Sequence, residues 1–458
     1  MVFSSLIFIF FFLPTLLFCY HIVPQKWLSV RNGVLLVFSL FFYFYGEPKL
    51  IGLLFFSILL NYTFGLLMRS QNKKTWLILC IIINVMMLGI YKYLNFFIQT
   101  ANSMFGASFG LPDIVMPIGI SFYTFQALSY VIDVYRGDAA PQKNLLSLAL
   151  YVSMFPQLIA GPIVRYHDVD QQITQRAHTA AVFSEGIDRF IYGLSKKVLL
   201  SNVFAQIADS IFARSTNELS SLLAWFGAVA YTLQIYYDFS GYSDMAIGLG
   251  KLFGFHFLEN FNYPYISRSV TEFWRRWHMS LSNWFRDYVY IPLGGNRCSS
   301  QRHIFNLLVV WGLTGFWHGA NFTFLTWGLY FGVLLILEKY ALTRILDKLP
   351  RVLTHIYALF FIVIGWVLFR SDSLSYAIRY LRVMFTFSRT VDPMVVEYLV
   401  RFWPYLLCGV ILSAPLYQLA ASKKAYAMLS YPLIAALFVL CVMSLLNNSY
   451  NPFIYFRF

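Results

Sequence analysis

Long apolar runs recur along this sequence and decide which folds are open to it. The hydrocarbon core of a bilayer is about 30 Å thick, so a helix of about 20 apolar residues crosses it. Hydrophobic residues make up 59% of the chain and charged residues only 12%, far from the composition of soluble domains. We therefore predict an all-α integral membrane protein with about 10–12 transmembrane or re-entrant helices. The apolar runs lie near residues 4–20, 33–46, 50–67, 76–96, 114–132, 145–160, 221–237, 304–317, 322–337, 354–369, 404–421 and 429–446.

The formal net charge of +14 is carried largely by short loops between the apolar runs. In a soluble chain this charge would suggest a nucleic-acid partner, but here it is a topology signal and no nucleic acid is expected. Residues 69–74 are basic, whereas residues 97–113 contain neither Lys nor Arg. The positive-inside bias therefore places the first loop in the cytoplasm and the second outside. The same bias predicts that the N-terminus and the C-terminal tail lie outside.

The sequence gives no sign of a metal site or of a division into domains. The five cysteines lack metal-ligand or redox spacing, so neither a metal nor a disulfide framework is expected. No basic segment precedes the run 4–20, which is predicted to be a retained first span rather than a cleaved signal. We find no internal repeat and no long linker, and expect one integral domain, residues 1–458, with an aromatic C-terminal tail at 447–458.

A polar interruption at His318 divides the apolar stretch 304–337. As one helix this stretch would overshoot a hydrocarbon core of ~30 Å, so we expect a break at Gly319, with Asn321 as the N-cap of the next helix. Irregular backbone in a bilayer is tolerated only where it is buried in protein or lines a wet cavity. His318 is therefore predicted to face such a cavity, supported by Trp317 and Asn321. The alternative is a packing histidine that hydrogen-bonds a neighbouring carbonyl.

A second histidine, His278, lies in an aromatic and arginine-rich segment that is expected on the cytoplasmic face. Large side chains recur at intervals of three and four over residues 271–289, which predicts one amphipathic interfacial helix. Because an unperturbed histidine pKa of ~6.5 suits a general base, the two histidines suggest a site entered from the cytoplasm. The alternative for His278 is an interfacial residue among Trp and Arg. The regularly spaced side chains are Trp274, Trp277, Leu281, Trp284, Phe285 and Tyr288.

Two carboxylates, Asp238 and Asp244, follow the apolar run 221–237. A carboxylate at helix-centre depth costs about 2.5–3.5 kcal/mol on insertion scales, so both are expected to be paired or wet. Pairing with an arginine of residues 268–297 is the favoured interpretation, and support of the histidine cavity is the alternative. The glycines of residues 292–297 would let backbone approach a phosphate, but they lack the spacing of a nucleotide-binding loop.

The chain ends in aromatic residues where a polar terminus is usual: residues 452–458 read Pro-Phe-Ile-Tyr-Phe-Arg-Phe. Burial of this tail in the protein or in the membrane interface is the simplest interpretation. A more specific hypothesis is that the tail folds back into the cavity from outside and brings the Tyr455 hydroxyl towards His318.

Six sequence blocks stand out: Trp-Arg-Arg-Trp-His-Met-Ser-Leu-Ser from 274, Arg-Asp-Tyr-Val-Tyr-Ile-Pro-Leu-Gly-Gly-Asn-Arg from 286, Gly-Phe-Trp-His-Gly-Ala from 315, and residues 116–126, 155–162 and 236–244. Together they resemble the membrane-bound O-acyltransferases, specifically the bacterial branch that acetylates alginate or peptidoglycan. The likeness spans nearly the whole chain. The tail is also similar to the Phe-x-Tyr-x-x-Phe ending of the small partner of the teichoic-acid D-alanyl transferase, through Phe453, Tyr455 and Phe458. This second motif is short.

The resemblance implies helices around a central tunnel, with His318 as the catalytic residue and His278 as the second signature residue. It implies an O-acetyltransferase of the bacterial inner membrane that moves acetyl groups from cytoplasmic acetyl-CoA to a cell-surface polysaccharide such as alginate or peptidoglycan. Tyr455 would carry the acetyl group in passing. A periplasmic partner with a serine-type esterase site of the SGNH class would then remove it.

Arg275, Arg276 and Arg297 are candidates for binding the phosphates of CoA through charge-assisted hydrogen bonds. Acetyl-CoA is the expected acyl donor, and no permanently bound cofactor is expected. Two other classes of function remain open. A secondary transporter should show two halves with corresponding interruptions, which we do not find. A non-catalytic scaffold of a polysaccharide-export complex would need no base at membrane depth.

Overall fold

The computed structural model describes residues 1–159, 161–386, 392–416, 424–447 and 450–454, with only the backbone described for 424–429. All regular secondary structure in these residues is helical, which confirms the predicted all-α class. Contacts group the chain into two compact units, Met1–Phe190 with Tyr242–Leu258, and Ile191–Gly241 with Glu259–Phe458. Each unit draws on two separate stretches of sequence. The single-domain organisation stays a prediction.

Helices of the first unit come mainly from the N-terminal part of the chain. They are α1 (Leu13–Ile22), α2 (Leu28–Gly46), α3 (Ile51–Leu67), α4 (Lys73–Leu88), α5 (Leu94–Phe105), α6 (Ile120–Arg136), α7 (Leu145–Ser153), α8 (Phe155–Leu158) and α9 (Tyr166–Thr174). Helix α10 (Ala180–Ser195) begins in this unit and ends in the second.

Helices of the second unit supply the residues discussed below. They are α11 (Asn202–Phe212), most of α12 (Ser221–Leu252), α13 (Val270–Arg276), α14 (Met279–Phe285), α15 (Ser300–His318), α16 (Phe322–Leu337), α17 (Thr343–Leu346), α18 (Arg351–Arg370), α19 (Leu374–Met384), α20 (Pro393–Leu412) and α21 (Lys424–Asn447). π-Helical turns adjoin several helices, at Phe8–Phe12, Gly89–Tyr93, Lys196–Ser201, Arg286–Tyr290 and Glu338–Leu342.

Five helices of the described part of the chain are long and apolar enough to cross a bilayer. Two shorter apolar helices, Phe8–Ile22 and Ile51–Leu67, accompany them. The chain is therefore a multi-pass membrane protein. The total of about 10–12 spans stays a prediction. The five long helices are Leu28–Gly46, Lys73–Phe105, Arg351–Arg370, Pro393–Leu412 and Ser430–Asn447.

Aromatic rings and paired amides stabilise the first unit. Phe3, Phe8 and Phe42 are almost completely buried, and the ring centroid of Phe3 lies 5.0 Å from that of Phe8 and 5.8 Å from that of Phe42. Asn61 of α3 and Asn84 of α4 are fully buried and exchange side-chain hydrogen bonds of 3.2 and 3.1 Å. Because lipid offers no hydrogen-bond partner, such pairs satisfy amides that would otherwise be costly to bury.

Tryptophans form the centre of the second unit. Trp274, Trp277, Trp311, Trp327 and Trp366, hereafter the tryptophan cluster, are each less than a tenth exposed. The ring centroids of Trp274 and Trp311 are 4.7 Å apart, and those of Trp277 and Trp366 are 4.8 Å apart. These tilted and edge-on contacts are the arrangements that aromatic quadrupoles prefer, so the cluster forms a rigid wall.

The prediction of one amphipathic interfacial helix over 271–289 is wrong. The chain instead forms α13 and α14, separated at Trp277 and His278, because His278 has a left-handed backbone with φ of 45°. The side chains of Trp274 and Trp284 are buried within the second unit and do not lie on an interface. Large side chains spaced by three and four indicate one buried helix face. The spacing is the same whether protein or lipid covers that face.

The predicted break after His318 is confirmed. Helix α15 ends at His318, Gly319 is extended, and α16 begins at Phe322. The Asn321 side-chain oxygen accepts a hydrogen bond of 3.0 Å from the Thr323 N–H, which makes Asn321 the N-cap as expected. The break turns one overlong apolar stretch into a helical hairpin with His318 at its bend.

Glycines allow α15 and α16 to pack at close range. A Cβ atom at Gly315 would lie 2.3 Å from the Phe324 carbonyl oxygen, and one at Gly328 would lie 2.3 Å from the Trp311 carbonyl oxygen. Backbone atoms cannot rotate aside as a flexible side chain can. The hairpin therefore uses the small-residue packing common between membrane helices.

We predict that Gly315→Ala destabilises the protein whereas Gly312→Ala does not. Gly312 lies on the same helix, but a Cβ there would meet nothing closer than Leu329 Cδ2 at 3.8 Å. Overpacking at Gly315 should cost about 1–3 kcal/mol, while alanine at Gly312 should gain helix propensity. Thermal unfolding of the two variants in detergent measures the difference. Equal melting temperatures for the two variants would contradict this packing.

We predict that a cysteine introduced at Ser103 reacts with an impermeant thiol reagent from outside, whereas one at Gln71 does not. Both positions are exposed, and they lie at opposite ends of the 33-residue helix Lys73–Phe105. At ~1.5 Å per residue this helix exceeds the ~30 Å core, so we expect its ends on opposite sides of the membrane. Labelling of spheroplasts, compared with the parent protein, tests the orientation. The reverse pattern would invert the assignment of sides.

Candidate active site

Aromatic rings enclose the imidazole of His318 at the end of α15. This residue is 5% exposed. The ring centroids of Trp327 and Phe369 lie 5.0 and 5.3 Å from that of His318, and both rings meet it edge to face. Trp317, the preceding residue, is also buried, with its ring centroid at 5.0 Å. These contacts leave the imidazole few orientations.

A small cavity of about 10 Å³, with room for about one water molecule, lies beside His318. His318 is the one ionisable residue in the lining. The prediction that His318 faces a cavity is therefore confirmed, although the walls are more apolar than a wet cavity requires. The other lining residues are Ile235, Phe239, Trp277, Trp327, Trp366, Phe369 and Ile454.

His278 lies next to His318 in space, with 6.4 Å between the ring centroids. Its ring packs edge-on against Phe239 at 4.6 Å and lies 6.1 Å from the ring of Trp317. His278 is 1% exposed, so the expectation of a histidine at the cytoplasmic surface is wrong. The left-handed turn between α13 and α14 directs this side chain inward.

Asn260 determines which nitrogen of His278 carries the proton. Its side-chain oxygen accepts hydrogen bonds from the Ser280 N–H at 3.2 Å and the Ser280 hydroxyl at 2.8 Å. The same oxygen lies 3.1 Å from His278 Nδ1. A backbone N–H can only donate, so this Asn260 atom is an acceptor and His278 Nδ1 must be the donor towards it. The neutral ring then has its lone pair at Nε2.

His278 Nε2 is a buried acceptor with no hydrogen-bond partner among the described residues. Burial, reinforced by the neighbouring His318, lowers the pKa of the His278 imidazole well below its usual range, so the ring stays neutral near pH 7. An unpaired buried polar atom costs about 1–3 kcal/mol. An atom kept unpaired at such a cost is a candidate contact for a substrate or a bound water.

Asp238 pairs with Lys197, so the expectation of an arginine partner from residues 268–297 is wrong. Lys197 Nζ and Asp238 Oδ1 are 2.5 Å apart, and the side chains are 3% and 1% exposed. The other carboxylate oxygen, Oδ2, accepts a hydrogen bond of 2.8 Å from the Ile454 N–H. Because Ile454 lines the His318 cavity, Asp238 supports that cavity through the C-terminal segment.

Two other predicted support residues have roles elsewhere. Asp244 lies in the first unit, where the Arg189 guanidinium approaches its carboxylate to 2.6 Å, so the expected arginine from residues 268–297 is wrong here too. Asn321 caps α16 and donates a hydrogen bond of 3.1 Å to the Asp372 carbonyl oxygen. Asn321 therefore supports the hairpin and is not among the residues that line the cavity.

The three candidate arginines differ in how freely they can bind an anion. Arg275 and Arg297 are exposed, whereas Arg276 is half-buried. Arg276 forms an ion pair with Glu272 at 2.9 Å and donates to the Asn262 carbonyl oxygen at 3.2 Å. Arg275 and Arg297 are thus better placed for a phosphate, and their role in binding CoA stays a prediction.

Tyr455 lies outside the described residues, which end at Ile454. The predicted approach of its hydroxyl to His318 therefore stays a prediction. Ile454 itself is 5% exposed and forms part of the cavity wall.

Sequence reasoning missed Asn260 and Lys197. Asn260 is one polar residue in the segment Glu-Asn-Phe-Asn-Tyr-Pro-Tyr, and nothing local connects it with His278. Lys197 follows Lys196 and resembles an ordinary basic loop, although the apolar residues 198–200 after it gave a weak signal of burial. Both residues act through partners far away in the sequence.

The fold and the site together define a multi-pass helical membrane protein with one buried histidine, His318, at an apolar cavity and a second buried histidine, His278, beside it. The sequence profile of the membrane-bound O-acyltransferase family matches residues 40–374, a range that includes both histidines. The chain belongs to this family and is an acyltransferase.

Three relatives illustrate the similarity. A probable alginate O-acetylase of Pseudomonas aeruginosa is 45% identical over 85% of this chain and 75% of its own length. A probable alginate O-acetylase of Pseudomonas putida is 40% identical over the full length of both chains. A peptidoglycan O-acetyltransferase of Helicobacter pylori is 35% identical over 84% of this chain and 80% of its own length.

We predict that Asn260→Ala lowers the acyl-transfer rate per folded molecule by about 10–100-fold, the equivalent of ~1–3 kcal/mol for one lost buried hydrogen-bond network. The reason is that His278 would lose the acceptor that fixes its tautomer. Asn262→Ala, two residues further on and exposed, is the matched control and should keep the parental rate. A rate for Asn260→Ala equal to that of Asn262→Ala would show that the tautomer is irrelevant to turnover.

Proposed function

We propose that this acyltransferase takes acetyl groups from cytoplasmic acetyl-CoA and moves them across the bacterial inner membrane for O-acetylation of a cell-surface polysaccharide. The observation that carries the proposal is His318, buried at a small cavity in a chain of an O-acyltransferase family. The small size of this aromatic-walled cavity favours a short acyl group over a long one. The names of the relatives, alginate O-acetylase and peptidoglycan O-acetyltransferase, support acetyl transfer to a polysaccharide.

The donor would bind at the cytoplasmic mouth of the site. Arg275 and Arg297 are exposed cations of the arginine-rich segment, which the positive-inside bias places in the cytoplasm. Guanidinium groups bind phosphate oxygens through paired, charge-assisted hydrogen bonds, so these residues suit the phosphates of CoA. The thioester would then extend inward towards the His318 cavity.

The first chemical step would transfer acetyl to the chain itself. The phenol oxygen of Tyr455 attacks the thioester carbonyl carbon while His318 takes the phenol proton. The carbon–sulfur bond breaks, CoA leaves as the thiolate, and His318 returns the proton to sulfur. A tyrosine hydroxyl with a pKa of ~10 is a poor nucleophile without a base, which gives His318 its task.

The second step would release the acetyl group on the outer side. A serine hydroxyl of a periplasmic esterase-type partner of the SGNH class attacks the acetyl-tyrosine carbonyl, and the phenol recovers a proton. The partner then passes acetyl to a polysaccharide hydroxyl. Both steps exchange one ester or thioester for another, so no oxidant or cofactor is needed.

Trp327 is a candidate donor for the oxyanion that forms during attack on the thioester. Its indole N–H is buried with no hydrogen-bond partner among the described residues, and the residue lines the His318 cavity. A donor held in a dry, rigid site stabilises developing charge without reorganising, and one such hydrogen bond is typically worth about 10²–10³ in rate.

Membership of an acyltransferase family sets the functional class and leaves no reason to prefer a transporter or a non-catalytic scaffold. One alternative mechanism remains within the class. Acetyl would pass from CoA directly to an external hydroxyl that enters the cavity, with His318 as base and without Tyr455.

We predict that His318→Gln reduces acetyl transfer by about 10²–10⁴-fold at normal expression, because it removes the general base. His303→Gln is the matched control, since His303 is a buried histidine on the same helix that bonds Tyr290 and Tyr340. The measurement is acetyl release from labelled acetyl-CoA per folded molecule. Lost folding with normal turnover of the surviving molecules would assign His318 to packing.

We predict that Tyr455→Phe stops transfer to the partner while the protein stays folded, because it removes the only atom that can form the ester. Labelled acetyl-CoA should leave label on the C-terminal peptide of the parent protein, most strongly without a partner present. His318→Gln should prevent that labelling. Full polysaccharide acetylation by Tyr455→Phe would favour direct transfer through the cavity.

A further inference from the structure

The described part of the C-terminal tail, Tyr450 to Ile454, is held in place by polar side chains of the second unit. Helix α11 and the π-helical turn before it supply three of these side chains, and α12 supplies the fourth. Their hydrogen-bond partners in the tail are Tyr450, Asn451, Pro452 and Ile454. We call the four side chains the tail clasp: Lys197, Asn202, Asp209 and Asp238.

The Lys197–Asp238 ion pair hydrogen-bonds the backbone of the tail. The Lys197 ammonium donates a hydrogen bond to the Pro452 carbonyl oxygen, and Asp238 Oδ2 accepts one of 2.8 Å from the Ile454 N–H. The cation of the pair thus binds a backbone carbonyl, and the anion binds a backbone N–H. The Lys197 ammonium also lies 5.9 Å from the ring centroid of Phe453, between these two contacts.

Two further contacts hold the tail nearer its start. Asp209 Oδ2 accepts a hydrogen bond of 2.5 Å from the Tyr450 hydroxyl, and its other oxygen pairs with Arg370 at 2.6 Å. Asn202 Nδ2 donates to Asn451 Oδ1 at 3.3 Å. The segment is therefore fixed at both ends, which sets its register as well as its location.

An ion pair this deeply buried is not explained by stability alone. The desolvation of two charges is costly, and apolar replacements of buried ion pairs are often neutral or stabilising. Lys197 and Asp238 are 3% and 1% exposed at the side chain. Instead, both charged groups also hydrogen-bond the tail backbone. This points to a role in positioning the tail.

The location of Ile454 shows which site the positioned tail reaches. Ile454 forms part of the wall of the His318 cavity, and the next residue in the sequence is Tyr455. Consecutive Cα atoms are ~3.8 Å apart, so fixing Ile454 limits the reach of Tyr455 to the neighbourhood of this cavity. A register shift of one residue would put Phe453 or Tyr455 in the position of Ile454 on the cavity wall.

We propose that the tail clasp, centred on Lys197 and Asp238, is a positioning device that sets the register of the C-terminal segment at the His318 cavity. The geometric part stands on the contacts above. Its catalytic consequence rests on the proposed function, in which Tyr455 accepts acetyl from acetyl-CoA.

The direct test measures protection of the tail without using activity. Ile454→Cys in otherwise unaltered full-length protein should react slowly with N-ethylmaleimide, as read from the C-terminal peptide by mass spectrometry. Adding Lys197→Met with Asp238→Leu removes both charges together and leaves no unpaired ion. We expect this combination to fold and to raise the labelling rate at position 454 by about tenfold or more, because the segment opens locally. Unchanged protection would overturn the clasp.

A matched control replaces another ion pair carried by α12. Arg189→Met with Asp244→Leu removes the pair in the first unit, 2.6 Å long, and should leave labelling at position 454 as in the parent. An equal increase in labelling there would mean that loss of any such pair loosens the protein, and would also overturn the clasp. Should the Lys197→Met, Asp238→Leu variant fail to fold, Tyr450→Phe with Asn451→Ala weakens the clasp from the tail side only. Unchanged labelling in that variant would count equally against it.

Kinetics separate positioning from folding and from donor binding. The Lys197→Met, Asp238→Leu variant should show kcat lower by about 10²-fold, the usual effect of a misplaced reacting group, with an unchanged KM for acetyl-CoA. Full activity of Tyr455→Phe, together with faster labelling at position 454 in the double variant, would retain the clasp and reject the tyrosine step. Lost activity of Tyr455→Phe with a fully protected, fully active double variant would retain the tyrosine step and reject the clasp.

Discussion

The cost of burying polar and charged groups in an apolar interior is the constraint on which the rest of this structure depends. Neither an imidazole nor a carboxylate finds water in hydrocarbon, so each must find its partner in the protein. Asp238 meets Lys197 at 2.5 Å, and His278 meets Asn260 at 3.1 Å. Both contacts join segments that are distant in the sequence. The positions of the second histidine and of the tail therefore follow from hydrogen bonding, while the surrounding aromatic rings fill space and restrict movement.

Features set by local physics could be predicted from the sequence. The all-α class follows from composition, and the break after His318 follows from the length of the stretch 304–337 against the thickness of a bilayer. The cap at Asn321 follows from the chemistry of a side-chain oxygen beside the free N–H groups of a helix start. Each of these inferences needs only neighbouring residues and one external length.

Features set by tertiary packing could not be predicted in the same way. The aromatic pattern of 271–289 is equally compatible with burial against lipid and against protein, so it gave the periodicity correctly and the environment wrongly. No local sequence feature predicts the left-handed backbone of His278, since most residues with positive φ are glycines. The partners of Asp238 and Asp244 were wrong for a related reason, because arginines are abundant in the sequence and only the fold decides which cation lies near.

The tautomer of His278 limits the hydrogen bonds that this residue can form with a substrate. With its Nδ1 proton directed to Asn260 and its pKa lowered by burial, the His278 ring can accept a hydrogen bond at Nε2 but cannot donate one there. It therefore suits a substrate hydroxyl or a bound water, and it cannot stabilise the oxyanion of the proposed thioester step. That task needs a donor on the wall of the His318 cavity. The indole N–H of Trp327 is such a donor, buried and without a partner among the described residues. In the proposed mechanism the proton acceptor, His318, and the charge-stabilising donor, Trp327, come from different helices, and the close packing of α15 against α16 sets the distance between them.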